Sequence, residues 1–215
     1  MGHETSMGGK DSRFQSTLWE VVLQAKSGEA QAVDQLARDY WKPVYFYIRR
    51  KGQSVESAKD LTQSFLGHLL EKDLLSRVDP EKGKFRSFIM ATLGNFLNNE
   101  RRTAGALKRG GAHNFVEAED DLRAADATPE KAFYKGWALT ILEQAMTMLR
   151  ESVPSEDLAL LEGKAPPEMS VSEKKNRLFR VRGRLQHLLR ESVKAAVERE
   201  DDVDSELREI FECLG

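Results

Sequence analysis

The sequence predicts an all-α protein. Proline is scarce, at six in 215 residues, and β-branched residues do not fall into alternating runs. Apolar residues recur at three- and four-residue intervals along most of the chain instead, the spacing that lines one face of a helix. Hydrophobic residues make up 40% and charged residues 32%, enough apolar material for compact cores beneath a densely charged surface.

Residues 1–14 are polar and glycine-rich and read as a disordered leader. Helical periodicity starts near Thr17, with Leu18, Val21, Val22 and Ala25 on one face, and breaks at Ser27-Gly28. A second helix carries Ala32, Val33, Leu36 and Tyr40 and continues past Pro43 with a bend. A third begins at Ser54, where Ala58, Leu61, Phe65 and Leu69 share a stripe and Asp60, Gln63 and Ser64 lie off it. After the turn Asp79-Pro80-Glu81-Lys82-Gly83, the fourth helix spans Lys84 to Thr103, with Phe85, Phe88, Ile89, Leu93, Phe96 and Leu97 as its apolar side. Lys84, Asn95, Asn98 and Arg102 converge on another side. Residues 107–130 read as a flexible acidic linker.

A smaller helical unit follows over 131–197. Ala132–Leu149 is its first helix, Leu158–Leu161 a short turn, and Pro166-Pro167 a barrier to helix. Ser170-Val171-Ser172-Glu173 is a capping box opening a helix to about Val197. An acidic helix, Ser205–Leu214, ends an acidic segment over 198–215.

The net charge of −2 hides strong segregation. Residues 84–111 carry six Lys/Arg against one acid, and 173–190 carry seven against one. Acidic stretches follow each: six acids to one Arg over 117–130, and eight to two over 198–212. Two basic helices suggest two anionic ligands; solvated helix faces are the plainer alternative. On the 84–102 helix, Arg and Lys suit phosphates, Asn suits adenine edges and Phe88 suits stacking on an unpaired base. On the 171–190 helix, Lys175, Asn176, Arg177, Arg180 and Arg184 surround the side opposite Val171, Leu178, Val181, Leu185 and Leu188. A DNA-reading helix and a basic amphipathic helix for an acidic protein or membrane surface explain that pattern equally.

Enzymatic signatures are missing, so catalysis, cofactors, metal and a small-molecule substrate are not expected. Gly8-Gly9-Lys10 lacks phosphate-loop spacing. His68 lies at the edge of an apolar stripe without a second ligand at metal spacing. The single cysteine, Cys213, fits a reducing cytoplasm. A signal peptide and a membrane span are not expected.

The segments SAKDLTQSFLGHLLEKD (57–73) and KFRSFIMATLGNFLNNERR (84–102) resemble region 2 of RNA polymerase sigma factors of the extracytoplasmic-function type. WEVVLQAKSGEAQAVDQLARDYWKPVYFYIRRKG (19–52) is similar to the start of that domain, and MSVSEKKNRLFRVRGRL (169–185) to the recognition helix of region 4. The resemblance implies a region 2 bundle over 15–106, the linker, and a helix-turn-helix domain over 131–197. It implies docking on core RNA polymerase through Asp60, Leu61, Thr62, Gln63 and Phe65. It implies reading and melting of the minus-ten promoter element by Lys84, Phe85, Arg86, Phe88, Asn95, Asn98, Asn99, Arg101 and Arg102. Lys175, Arg177, Arg180, Arg182 and Arg184 would meet the minus-thirty-five element, and Glu117, Glu119, Asp120 and Asp121 would thread near the polymerase active-site channel. An anti-sigma factor is a further candidate partner. Two departures stand out: two prolines interrupt LLEGKAPPEMS (160–170), where the family has a full supporting helix, and Lys174 sits in the apolar stripe. A degenerate polymerase-binding regulator and a polymerase-independent helical repressor are the alternative readings.

Overall fold

The computed structural model describes residues 18–70, 73–79, 85–107, 128–197 and 200–214. The leader over 1–14, Lys84 and the linker acids Glu117, Glu119, Asp120 and Asp121 lie outside the described residues. Among the described residues the chain is all-helical, with no strand. Its helices are α1 (Leu18–Lys26), α2 (Ala30–Arg50), α3 (Val55–Leu70), α4 (Asp73–Ser76), α5 (Phe85–Leu107), α6 (Pro129–Ser152), α7 (Ser155–Leu161), α8 (Val171–Ala196) and α9 (Val203–Leu214), with a 3-10 turn at Glu200–Asp202.

Local signals mark the ends of several helices. Gly28 takes φ +90°, a conformation strained for any side chain, and turns the chain from α1 into α2. The Thr128 hydroxyl accepts the Lys131 N–H at the start of α6, and Pro129 follows at the first helical position. The Ser170 hydroxyl accepts the Glu173 N–H at the start of α8, but the Glu173 carboxylate pairs with Arg177 at 2.9 Å instead of closing the predicted capping box. Helix α2 runs through Pro43 as a single element. The single turn α4 lies in a stretch that sequence periodicity left unassigned, and α7 starts three residues before the expected turn, at Ser155.

Two apolar clusters organise the molecule. The first gathers Val22, Leu36, Tyr40, Val44, Ile48, Phe65, Leu69, Phe85, Ile89 and Leu93 from α1, α2, α3 and α5, and admits Phe133 from α6. Tyr40 meets Phe85 edge to face at 5.4 Å, and Phe65 meets Phe96 at 5.5 Å. The second gathers Trp137, Ile141, Ala145 and Leu149 of α6 with Val181, Leu188 and Val193 of α8 and Val203 and Ile210 of α9.

Helix α6 therefore belongs to both clusters, and the C-terminal unit sits against the N-terminal bundle. Gly136 makes this possible. A Cβ at Gly136 would stand 2.7 Å from the Pro43 Cα and 2.8 Å from its nitrogen, so only glycine lets α6 approach the α2 backbone so closely. Polar links flank the crossing: Lys42 pairs with Glu143, and the Gln144 amide donates to the Asp39 carboxylate at 2.7 Å. Arg86 of α5 pairs with Glu206 of α9, both buried.

Candidate nucleic-acid interface

Helix α5 is fixed on one side by Phe85, Ile89, Leu93 and Leu97 in the first cluster. At 100° per residue, Asn95, Asn98 and Arg102 are then driven to the opposite side, with Asn99 and Arg101 at its edges. All five side chains are exposed. Phe88 is half-buried and stacks on Phe85, with ring centroids 6.1 Å apart. It borders the Asn95–Arg102 arc and can offer one ring edge to a ligand.

Two residues assigned to the same surface are corrected. Phe85 is 1% exposed and Arg86 4% exposed, so neither can reach DNA from this conformation. Arg86 lies over the rings of Trp137, at 4.4 Å, and Tyr134, at 5.4 Å, while its guanidinium pairs with Glu206. Burial by itself would lower the Arg86 pKa; the hydrogen bond and charge of Glu206 outweigh it and hold the group above its ordinary value.

The docking set on α3 divides in the same way. Asp60 and Gln63 are exposed and Leu61 half-buried, whereas Thr62 and Phe65 are both fully buried. Thr62 donates its hydroxyl to the Ala58 carbonyl at 2.7 Å, and Phe65 meets Phe96. These two support the α3 surface from beneath and are removed from the contact set. His68 is exposed, with its ring 5.9 Å from Phe96. Among the described residues no group of three or more His, Cys, Asp or Glu side chains is arranged to hold a metal ion.

Helix α8 presents the second surface. Val181, Leu188 and Val193 hold it in the second cluster, and α7 packs beside it. Arg177 lies between the two helices: it meets Asp157 of α7 at 3.2 Å, Glu156 at 3.9 Å and Glu173 at 2.9 Å. The Asp157 hydrogen bond, aided by Glu173, holds the Arg177 pKa above its ordinary value. Arg177 thus braces α7 against α8, and its side chain stays partly exposed. Lys175, Arg180, Arg182 and Arg184 are exposed, and so is Asn176. The sequence reading also passed over Phe179, 78% exposed in the middle of this basic helix. Its position off the Val181–Leu185–Leu188 stripe was the available signal.

No helix among the described residues is long and apolar enough to cross a membrane. The chain matches no protein-family model, and comparison with curated proteins and with solved structures gives no match.

Proposed function

We propose that this protein is an RNA polymerase sigma factor of the extracytoplasmic-function type, which binds core polymerase and promoter DNA and performs no chemistry of its own. The observation that carries the reading is the outward face of α5. Asn95, Asn98, Asn99, Arg101 and Arg102 are presented to solvent by a helix whose opposite side is locked in the core. Such a rigid helix can pair guanidinium groups with phosphates while amides meet bases taken out of the stack. Unstacking a base costs a few kcal/mol, which these contacts must offset. The motifs over 57–73 and 84–102 supply the rest of the support.

In this reading α3 docks on polymerase through Asp60 and Gln63, flanked by Leu61. Helix α5 captures the minus-ten element, the segment between α5 and α6 serves as linker, and α7–α8 forms the helix-turn-helix. The brace at Arg177 supplies rigidity that the short α7 would otherwise lack. Run-off transcription with purified core polymerase over a genomic promoter library is the test. A defined transcript that depends on the chain is expected. Polymerase binding without a transcript points to a degenerate regulator, and DNA binding without polymerase association to a repressor; either result overturns the proposal.

A further inference from the structure

Helix α8 carries an ordered outward face that the basic residues alone do not explain. The buried side of α8 carries Val181, Leu188, Leu189, Ser192 and Val193, and over the N-terminal half it is defined by Val181 with half-buried Leu178 and Leu185. Directly opposite, at 100° per residue, lie Ser172, Asn176, Phe179 and Gly183, all exposed. Lys175 and Arg182 flank this stripe on one side, Arg180 and Arg184 on the other. No acid occurs between Glu173 and Glu191. From Ser172 to Gly183 the stripe extends roughly 16 Å, about three helical turns.

A narrow reading stripe between two cationic edges is the pattern that a major groove demands, because its two walls are phosphate strands and its floor is base edges. We propose that Asn176 and Phe179 are specificity-determining residues of α8, and that they select A·T pairs in the major groove of duplex DNA. The Asn176 amide matches the donor and acceptor on adenine, and the Phe179 ring supplies apolar contact for the thymine methyl. Gly183 adds no side chain, and a Cβ there would touch nothing within 4 Å, so the helix can come close to the groove at that turn. Both lie in the N-terminal half of α8, the half that a recognition helix inserts most deeply. A membrane is a poor occupant: the broad apolar stripe of α8 is already committed to Val181, Leu188 and Val193 in the core, and Ser172 and Asn176 interrupt the outward one. The inference rests on α8 being a DNA reader, but not on polymerase.

The test is selection of fluorescent duplexes from a random pool by the full chain, with and without core polymerase. Single thymines in the selected site are then replaced by deoxyuracil, which removes only the methyl group. One such position should weaken wild-type binding about fourfold, the effect of one buried methyl group. Phe179→Ala should select duplexes still but be indifferent to that replacement. Its helical circular dichroism should match wild type, since Phe179 is 78% exposed. The proposal fails if no uracil position matters, if Phe179→Ala keeps the wild-type sensitivity, or if the chain retains anionic vesicles or acidic peptides and no duplex. Transcription from the selected site separates the outcomes. A transcript with no methyl effect sinks this inference alone, and a methyl effect with no transcript sinks the sigma-factor reading alone.

Discussion

Arg86 and Glu206 lie 120 residues apart in sequence and form a buried ion pair between α5 and α9. Arg86 also faces Trp137 and Tyr134 of α6, so one guanidinium ties three helices together. The acidic C-terminal segment is therefore part of the fold, through a carboxylate that is fully buried. Removing one partner of such a pair strands a charge in a low-dielectric interior. Arg86→Ala or Glu206→Ala should each lower unfolding free energy by about 3–5 kcal/mol. Replacing both, as Arg86→Met with Glu206→Leu, should recover most of that loss, because the pair's own desolvation cost disappears with it. Urea denaturation of wild type, Arg86→Met, Glu206→Leu and the double variant measures the coupling. Additive losses would show that the two groups do not act as a pair.

Two glycines make opposite predictions. Gly136→Ala places its Cβ against backbone atoms of Lys42 and Pro43, which cannot move aside like a side-chain tip. The α2–α6 crossing should open, at a cost of about 1–3 kcal/mol, although alanine is the better helix former. Gly67 in α3 is exposed, with nothing within 4 Å of a Cβ. Gly67→Ala should stabilise by roughly 0.5–1 kcal/mol. Thermal unfolding of both variants against wild type tests the pair of expectations.

Asp39 carries a pH signature. Burial raises its pKa from 3.8 to about 6, against the lowering effect of hydrogen bonds from Gln35 and Gln144. A carboxyl whose folded value exceeds its unfolded value is more protonated in the folded state between those values. Its contribution to stability is therefore greatest below about pH 4 and declines as pH rises through about 6. Asp39→Asn removes the charge and leaves an acceptor for Gln144. It should stabilise the protein by about 1–3 kcal/mol at pH 7.5, and the gain should shrink steadily as the pH falls from about 6 toward 4. A gain that does not change between pH 7.5 and 4.5, measured by urea titration, rules out this titration.

Local physics made most of the helices legible. The stripe Ala58–Leu61–Phe65–Leu69, the cap at Ser170 and the break at Ser27-Gly28 are signals contained within one turn, and each marks an element of the structure. Burial of the apolar side of α5 was legible too, because Phe85, Ile89, Leu93 and Leu97 repeat every four residues. Pairings between distant segments were not. Arg86 appears in sequence as one more cation in a basic helix; its removal from the surface depends on Glu206, Trp137 and Tyr134, which only the folded chain brings together. Thr62 illustrates the converse: a hydroxyl that looks available for a partner is consumed by the Ala58 carbonyl one turn earlier. Arg177 was assigned by its charge, and its acids on α7 became visible only when the short helix was positioned beside α8.

The division of α5 into an inward and an outward face gives the sharpest functional expectation. Asn98 and Arg102 are exposed, so Asn98→Ala and Arg102→Ala should leave thermal stability within about 0.5 kcal/mol of wild type. If α5 engages promoter DNA, Arg102→Ala removes a phosphate contact, and the slope of log affinity against log salt should fall by about one. That loss should be similar across promoter sequences. Asn98→Ala should act differently, weakening binding at sites that carry the favoured base and altering the salt slope little, because an amide reads bases without releasing counterions. Holoenzyme binding to a minus-ten duplex over a range of salt concentrations, with run-off transcription alongside, distinguishes the two. Identical salt slopes for wild type and Arg102→Ala would show that this arginine makes no phosphate contact, and the outward face of α5 would then need a different ligand.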